Sequence, residues 1–155
     1  MENITVQETK KVMFIGEFTV SMDAKGRIAI PAKFRALLNA SAVVTRGLDQ
    51  SLFLYPTKEW EVIAAKIAAL PLTQANSRAF SRLMLAGAFD AELDKQGRMM
   101  IPDYLRKFAT LTKRVVVAGL YNRIEIWDER LWLDYKKNTE RESTAIAEKL
   151  GELGV

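Results

Sequence analysis

The sequence predicts an α+β fold made of two tandem β-β-α-β-β repeats flanked by helices. Three observations carry this prediction. Phe18–Arg35 aligns without gaps on Phe89–Arg106, an offset of 71, with seven of 18 positions identical: Phe18/Phe89, Asp23/Asp94, Gly26/Gly97, Arg27/Arg98, Ile30/Ile101, Pro31/Pro102 and Arg35/Arg106. Each copy opens with apolar residues in alternation, Phe18, Val20 and Met22 or Phe89, Ala91 and Leu93, the period-2 mark of a half-buried strand. Each alternation then meets an Asp-x-x-Gly turn, and beyond a proline the apolar spacing changes to that of a helix.

Taken in order, residues 1–12 precede all patterning and are expected to form a flexible leader. Repeat 1 is assigned to residues 16–60. Its first strand ends at the turn, and Arg27–Ile30 reads as a short second strand. Pro31 suits the first turn of a helix, along which Phe34, Leu37 and Leu38 recur at helical spacing. Ala42–Arg46 and Ser51–Tyr55 read as two more strands joined by a turn containing Gly47. A helical connection, 61–86, follows. Thr57 is the expected N-cap of a helix Lys58–Leu70, Pro71 ends it, and Thr73–Ala86 reads as a second helix. Repeat 2, 87–130, repeats the plan with Arg98–Ile101, Leu105, Phe108 and Ala109, then Arg114–Ala118 and Arg123–Trp127 around Gly119. Asp128 can cap a C-terminal helix, assigned to 131–155, that runs on toward Leu150. Trp60, Trp127, Trp132 and Tyr135 fall at core spacing, with a subunit interface as the alternative.

Composition removes several function classes. The 155 residues include no His and no Cys. Without them there is no Ser-His triad, no cysteine nucleophile, no nitrogen- and sulfur-ligated zinc and no disulfide. No Gly-rich phosphate loop or metal-ligand cluster is visible either, so no cofactor, metal or small-molecule substrate is expected. The polar N-terminus and an apolar run, Val62–Leu72, broken by Lys66 predict a cytoplasmic protein without a membrane partner. The net charge of +4 favours polyanionic partners only weakly. Residues 1–77 hold nine basic and seven acidic residues and residues 78–155 hold 14 and 12, so each half carries +2. There is no basic tail, and a binding surface must be made by folding.

The chemistry concentrates in Asp23-Ala-Lys25-Gly26-Arg27 and Asp94-Lys-Gln-Gly97-Arg98. Aspartate can accept backbone amides two residues on, and glycine supplies a positive φ at the corner. Asp23, Gly26, Asp94 and Gly97 are therefore read as turn-structuring. The arginine that follows is aimed from a rigid corner, where a planar guanidinium can meet phosphate or the O6/N7 edge of guanine, and Lys25 can add a phosphate contact. The plainer alternative is that Asp and Arg pair across the turn and bind nothing. Arg27, Arg98, Lys25, Arg35 and Arg106 are the candidate DNA-binding residues. Lys33, also just beyond the corner, reads as a solvated helix face. Two rival functions stay open: an enzyme using Asp23 and Asp94 as paired carboxylates, which needs one of them with a raised pKa, and an assembly or partner-binding protein without DNA affinity.

Met13-Phe-Ile-Gly-Glu-Phe, followed by Asp-Ala-Lys-Gly-Arg-Ile-Ala-Ile-Pro-Ala-Lys-Phe-Arg and, about seventy residues on, by the second Asp-x-x-Gly-Arg with its Ile-Pro, resembles the bacterial MraZ family. The resemblance runs from Met13 to about Leu150. It implies a SpoVT-AbrB-like fold whose repeats intertwine within one chain as a swapped-hairpin β-barrel. It also implies a cytoplasmic, nucleoid-associated transcriptional regulator that assembles into ring homo-oligomers. Such a regulator binds double-stranded DNA at short G-rich direct repeats, in the promoter ahead of the division and cell-wall genes. The family's DNA-contacting arginine maps onto Arg27 and Arg98. Gln96 stands where the first copy has Lys25, so the first loop is expected to be the stronger contact.

Overall fold

A computed structural model describes residues 13–39 and 41–155; the expected flexible leader, 1–12, lies outside the described residues. The order is β1 (Phe14–Ser21), β2 (Arg27–Ala29), α1 (Ala32–Leu38), β3 (Ser41–Arg46), β4 (Leu52–Pro56), α2 (Thr57–Ala68) and α3 (Ala75–Ser81), which runs into a π-helical turn, Arg82–Ala86. Then come β5 (Phe89–Glu92), β6 (Arg98–Met100), α4 (Asp103–Phe108), β7 (Arg114–Tyr121), β8 (Ile124–Asp128), α5 (Glu129–Arg141) and α6 (Ser143–Gly151). The β-β-α-β-β order occurs twice. Pro31 and Pro102 stand immediately before α1 and α4. Their rings fix φ, they need no donor of their own, and their carbonyls accept the first helical amides, Phe34 and Arg35 or Leu105 and Arg106, at 2.9–3.1 Å.

The strands are exchanged between the repeats. One antiparallel sheet has the order β1-β7-β8-β4-β3-β5, and β2 pairs with β6 in a separate two-stranded ribbon. The first strand of each repeat thus leaves its own unit: β1 lies along β7, with Phe18 opposite Val117, and β5 lies along β3, with Ala91 opposite Ala42. Among the described residues the sheet is open, ending at β1 and β5. Its hydrogen bonds do not close the barrel that the resemblance implies.

The main core lies on one face of the sheet, where Val44, Leu54, Val117, Ile124 and Ile126 meet Phe34 and Leu38 of α1 and Leu105 of α4, all buried. Phe34 receives the edges of Phe14 and Phe18 at 5.5 and 5.3 Å, which joins α1 to the exchanged strand. Phe18 itself stays partly exposed because, among the described residues, β1 is an edge strand with no neighbour on its outer side. On the opposite face α2 and the π-helical turn cover Phe53 and Tyr55, while α5 covers Val116 and Trp127. Trp60 packs on Tyr55, and Trp132 and Tyr135 pack on Trp127 at 5.4 and 5.1 Å. These aromatics join helices to sheet within the chain.

Three local readings need correction. Thr57 is the first residue of α2 and caps nothing; its hydroxyl sits 3.2 Å from that of Ser41, because the strand β4 runs straight into the helix through Pro56. The second connecting helix starts at Ala75, and its last turn widens to a π-helix. Asp128 does cap α5, accepting from the Arg130 amide at 3.2 Å, but the helix breaks at Glu142 before α6 begins.

Phe34 ties the exchanged strand to the core, so Phe34→Ala is expected to lower the unfolding free energy by about 3–5 kcal/mol. Leu72→Ala, at an 80% exposed site, is expected to change it by less than about 0.5 kcal/mol. Chemical denaturation of both variants checks the contrast.

Candidate nucleic-acid interface

The two Asp-Gly turns are built alike. Asp23 Oδ1 accepts the Lys25 and Arg27 amides at 3.0 and 2.9 Å, and Oδ2 holds Arg27 Nε at 2.7 Å. Asp94 Oδ1 accepts the Gln96 and Arg98 amides at 2.8 and 2.9 Å, and Oδ2 holds Arg98 Nε at 3.0 Å. Backbone bonds from Gly26 to Asp23 and from Gly97 to Asp94, both 3.0 Å, close the corners. Both glycines have positive φ, 81° and 75°. The amide of Arg27 or Arg98 on each carboxylate is the largest influence holding Asp23 and Asp94 below the ordinary carboxylate range; the paired guanidinium adds to it and burial opposes it. Neither aspartate has the raised pKa that the paired-carboxylate reading needs, and each is engaged by its own turn.

The plainer pairing and the outward arginine coexist. Asp takes only Nε, and among the described residues the terminal nitrogens of Arg27 and Arg98 have no hydrogen-bond partner. Side-chain exposures of 30% and 33% leave them reachable from solvent. Pinning Nε restricts the side chain, so fewer rotamers remain to be frozen on binding.

The ribbon brings the two turns together. Arg27 lies opposite Met100, Ile28 opposite Met99 and Ala29 opposite Arg98. Alternation sends Ile28 and Met99 into the core and leaves Arg27, Ala29, Arg98 and Met100 on one outer face. Arg27 and Arg98 are diagonal neighbours across the ladder, with backbones about 7–8 Å apart. Two further bonds lock the repeats at the turns: the Ile30 amide donates to the Gly97 carbonyl at 3.0 Å, and the Ile101 amide to the Gly26 carbonyl at 2.9 Å.

Arg35 and Arg106 cross over. Arg35, from the first repeat, lies on Gly97 and donates to the Gln96 carbonyl at 3.2 Å. Arg106, from the second, lies on Gly26. A Cβ at either glycine would stand 2.7 Å from the opposing Cζ, so the corners require glycine for contact as well as for φ. Lys25 is exposed at the tip of its turn. Lys33 instead donates to the Ile15 carbonyl of β1 at 3.2 Å. Sequence reasoning missed Lys95, exposed on the second turn, although it lies inside the repeated pentapeptide. It also missed the crossover of Arg35 and Arg106, which only the β2–β6 register discloses. Among the described residues no group of three acidic or other ligand side chains could hold a metal ion, and no helix is long and apolar enough to cross a membrane.

Comparison with known proteins adds the following. The family model described as MraZ protein, antitoxin-like, matches twice, over residues 13–83 and 84–152. Relatives named transcriptional regulator MraZ from Carboxydothermus hydrogenoformans and Natranaerobius thermophilus are each 50% identical over 138 residues, 89% of this chain and 96% of theirs. One from Desulfitobacterium hafniense is 46% identical over 143 residues, 92% of this chain and 100% of its own. Among solved structures, the solution structure of PHS018 from Pyrococcus horikoshii aligns at a TM-score of 0.33 and 16% identity, covering 74% of this chain and 97% of that one.

The depressed aspartates set a pH dependence. A carboxylate whose folded pKa lies below its unfolded value adds stability above the unfolded pKa, near 3.9, and loses it as pH falls through the folded one. The charge-neutral pair Asp23→Asn/Asp94→Asn is therefore expected to melt below wild type at pH 7, with the gap narrowing under about pH 4. Thermal unfolding midpoints across pH 2.5–7 check the sign; a gap that widens in acid contradicts it.

Proposed function

The chain belongs to the MraZ family, and on that premise we propose that it is a DNA-binding transcriptional regulator whose β2–β6 ribbon is the reading surface. The observation that carries this is the placement of Arg27 and Arg98 on one outer face of a ribbon made by both repeats. With backbones about 7–8 Å apart, the two arginines can reach a single duplex groove together. Arginine end nitrogens pair with guanine O6 and N7, which suits G-rich sites, while Lys25, Arg35 and Arg106 supply the flanking phosphate contacts. The exchange of β1 and β5 between repeats supports the swapped-hairpin reading of the fold.

Each chain contributes little charge. A net +4, part of it offset by Asp23 and Asp94, gives weak affinity for one isolated site. A ring homo-oligomer that sets several ribbons on spaced direct repeats gains affinity through effective concentration, without new contacts. The target is the promoter region ahead of the division and cell-wall gene cluster, and the place of action is the cytoplasm, at the nucleoid.

A labelled duplex carrying G-rich direct repeats, titrated with wild type and with Arg27→Ala/Arg98→Ala at two salt concentrations, tests this. The double variant is expected to bind at least about 30-fold more weakly, the two lost contacts being worth ~1–3 kcal/mol each. Its slope of log K against log salt is expected to stay close to that of wild type, because the phosphate contacts assigned to Lys25, Arg35 and Arg106 remain. Unchanged binding in the variant removes the ribbon from the interface, and no binding by wild type favours an assembly protein without DNA affinity.

A further inference from the structure

The two turns of the ribbon are held in place by different means. Arg35 is bonded directly to the turn it covers, through the Gln96 carbonyl. Arg106 makes no hydrogen bond to the turn it covers: among the described residues its Nε is buried without a partner, and its one ion pair is from Nη2 to Asp103 of its own helix, at 3.8 Å. The position of Arg106 over Gly26 therefore depends on where α4 sits.

Besides the burial of Leu105 in the core, α4 is seated by a junction with no counterpart in the first repeat among the described residues. Tyr104, two residues before Arg106, donates its hydroxyl to the Gly87 carbonyl at 3.0 Å, at the end of the π-helical turn. Arg46, at the end of β3, fills the angle between them. Its Nη1 donates to the Leu83 carbonyl at 3.4 Å, and its guanidinium lies 5.5 Å from the Tyr104 ring centre and 5.7 Å from that of Phe108. The neighbouring Thr45 hydroxyl donates to the Met84 carbonyl at 2.7 Å in a buried setting. Thr45, Arg46 and Tyr104 thus bond to the Met84 and Leu83 carbonyls of the π-helical turn and to the Gly87 carbonyl that ends it. A side chain at Gly87 would collide with Arg46 and the Leu83 carbonyl. In the first repeat the position equivalent to Tyr104 is Lys33, an exposed flexible chain on the Ile15 carbonyl, and Ala118 stands where the second repeat would need an Arg46.

We propose that Tyr104 and Arg46 are positioning residues that fix the first turn, through α4 and Arg106, to the helical connection, leaving the second turn independent of it. The inference deepens the DNA-binding reading and rests on it: the chain meets DNA with one corner, Arg27, whose cover is set from the helical connection, and one corner, Arg98, held by its own direct bond from Arg35. A pseudo-symmetric ribbon with unequal corners prefers one orientation on the duplex.

The test uses the full-length chain and Tyr104→Phe, which keeps the ring and removes one hydrogen bond, with Arg46→Lys as a second variant that keeps the charge. The first readout needs no DNA. The Gly26 and Arg27 amides are expected to exchange about three- to tenfold faster in Tyr104→Phe, the cost of one hydrogen bond, while those of Gly97 and Arg98 stay unchanged. Equal change at both turns, or none at the first, overturns the proposal. The second readout is a binding cycle on the direct-repeat duplex. Tyr104→Phe is expected to weaken binding about three- to tenfold in the Arg98→Ala background and to have no further effect in the Arg27→Ala background. The same loss in both backgrounds marks a general structural role and overturns it. If wild type does not bind the duplex, the DNA reading falls while the exchange readout still decides the coupling of the turns. Arg46→Lys is expected to reproduce the pattern, and its failure to do so removes Arg46 from the relay.

Discussion

Two backbone hydrogen bonds, Ile30 to the Gly97 carbonyl and Ile101 to the Gly26 carbonyl, connect the corner of each repeat to the strand of the other. Everything proposed for this surface depends on that exchange. It sets the β2–β6 register, and the register puts Ile28 and Met99 into the core and both arginines outside. It also brings α1 and α4 each over the turn of the other repeat, so that Arg35 and Arg106 lie where any side chain on Gly97 or Gly26 would stand. A slip of one residue would turn the arginines inward and the apolar pair outward. Burial of that pair is what makes the register costly to change.

The same exchange explains how a chain with modest charge can present a defined surface. The aspartate at each corner cancels part of the arginine's charge and also removes most of its freedom. An exposed ion pair of this kind adds little stability. Its use lies in holding Nε so that the end nitrogens point from a fixed place. Directional donors at fixed separation favour specificity over bulk attraction, and the proposed assembly of several chains would supply the affinity that one lacks.

Much of this was legible in the sequence because it is local. The alternation of Phe18, Val20 and Met22, the Asp-x-x-Gly corner and the Pro-initiated helix each depend on residues within a few positions of one another, and each forms in the structure. The doubled motif added the arginines as candidates, and those assignments await the binding measurements. What could not be read were partners distant in sequence. Nothing in the pentapeptide says that Gly26 is covered by Arg106, 80 positions away, or that β1 pairs with β7 in place of a strand of its own repeat. Thr57 resembled an N-cap because Ser and Thr commonly serve there, yet β4 enters α2 through Pro56 and leaves its hydroxyl to Ser41. The break at Glu142 likewise carries no glycine or proline to announce it.

The central claim is that both corners of one chain meet the same duplex through one face of the ribbon. Hydrogen-exchange mass spectrometry of the full-length protein, free and saturated with the direct-repeat duplex, tests it most directly. The account predicts that peptides spanning Asp23–Arg27 and Asp94–Arg98 gain protection together at the same duplex concentration. Protection confined to helices α2, α5 or α6, with both corners unchanged, would contradict it.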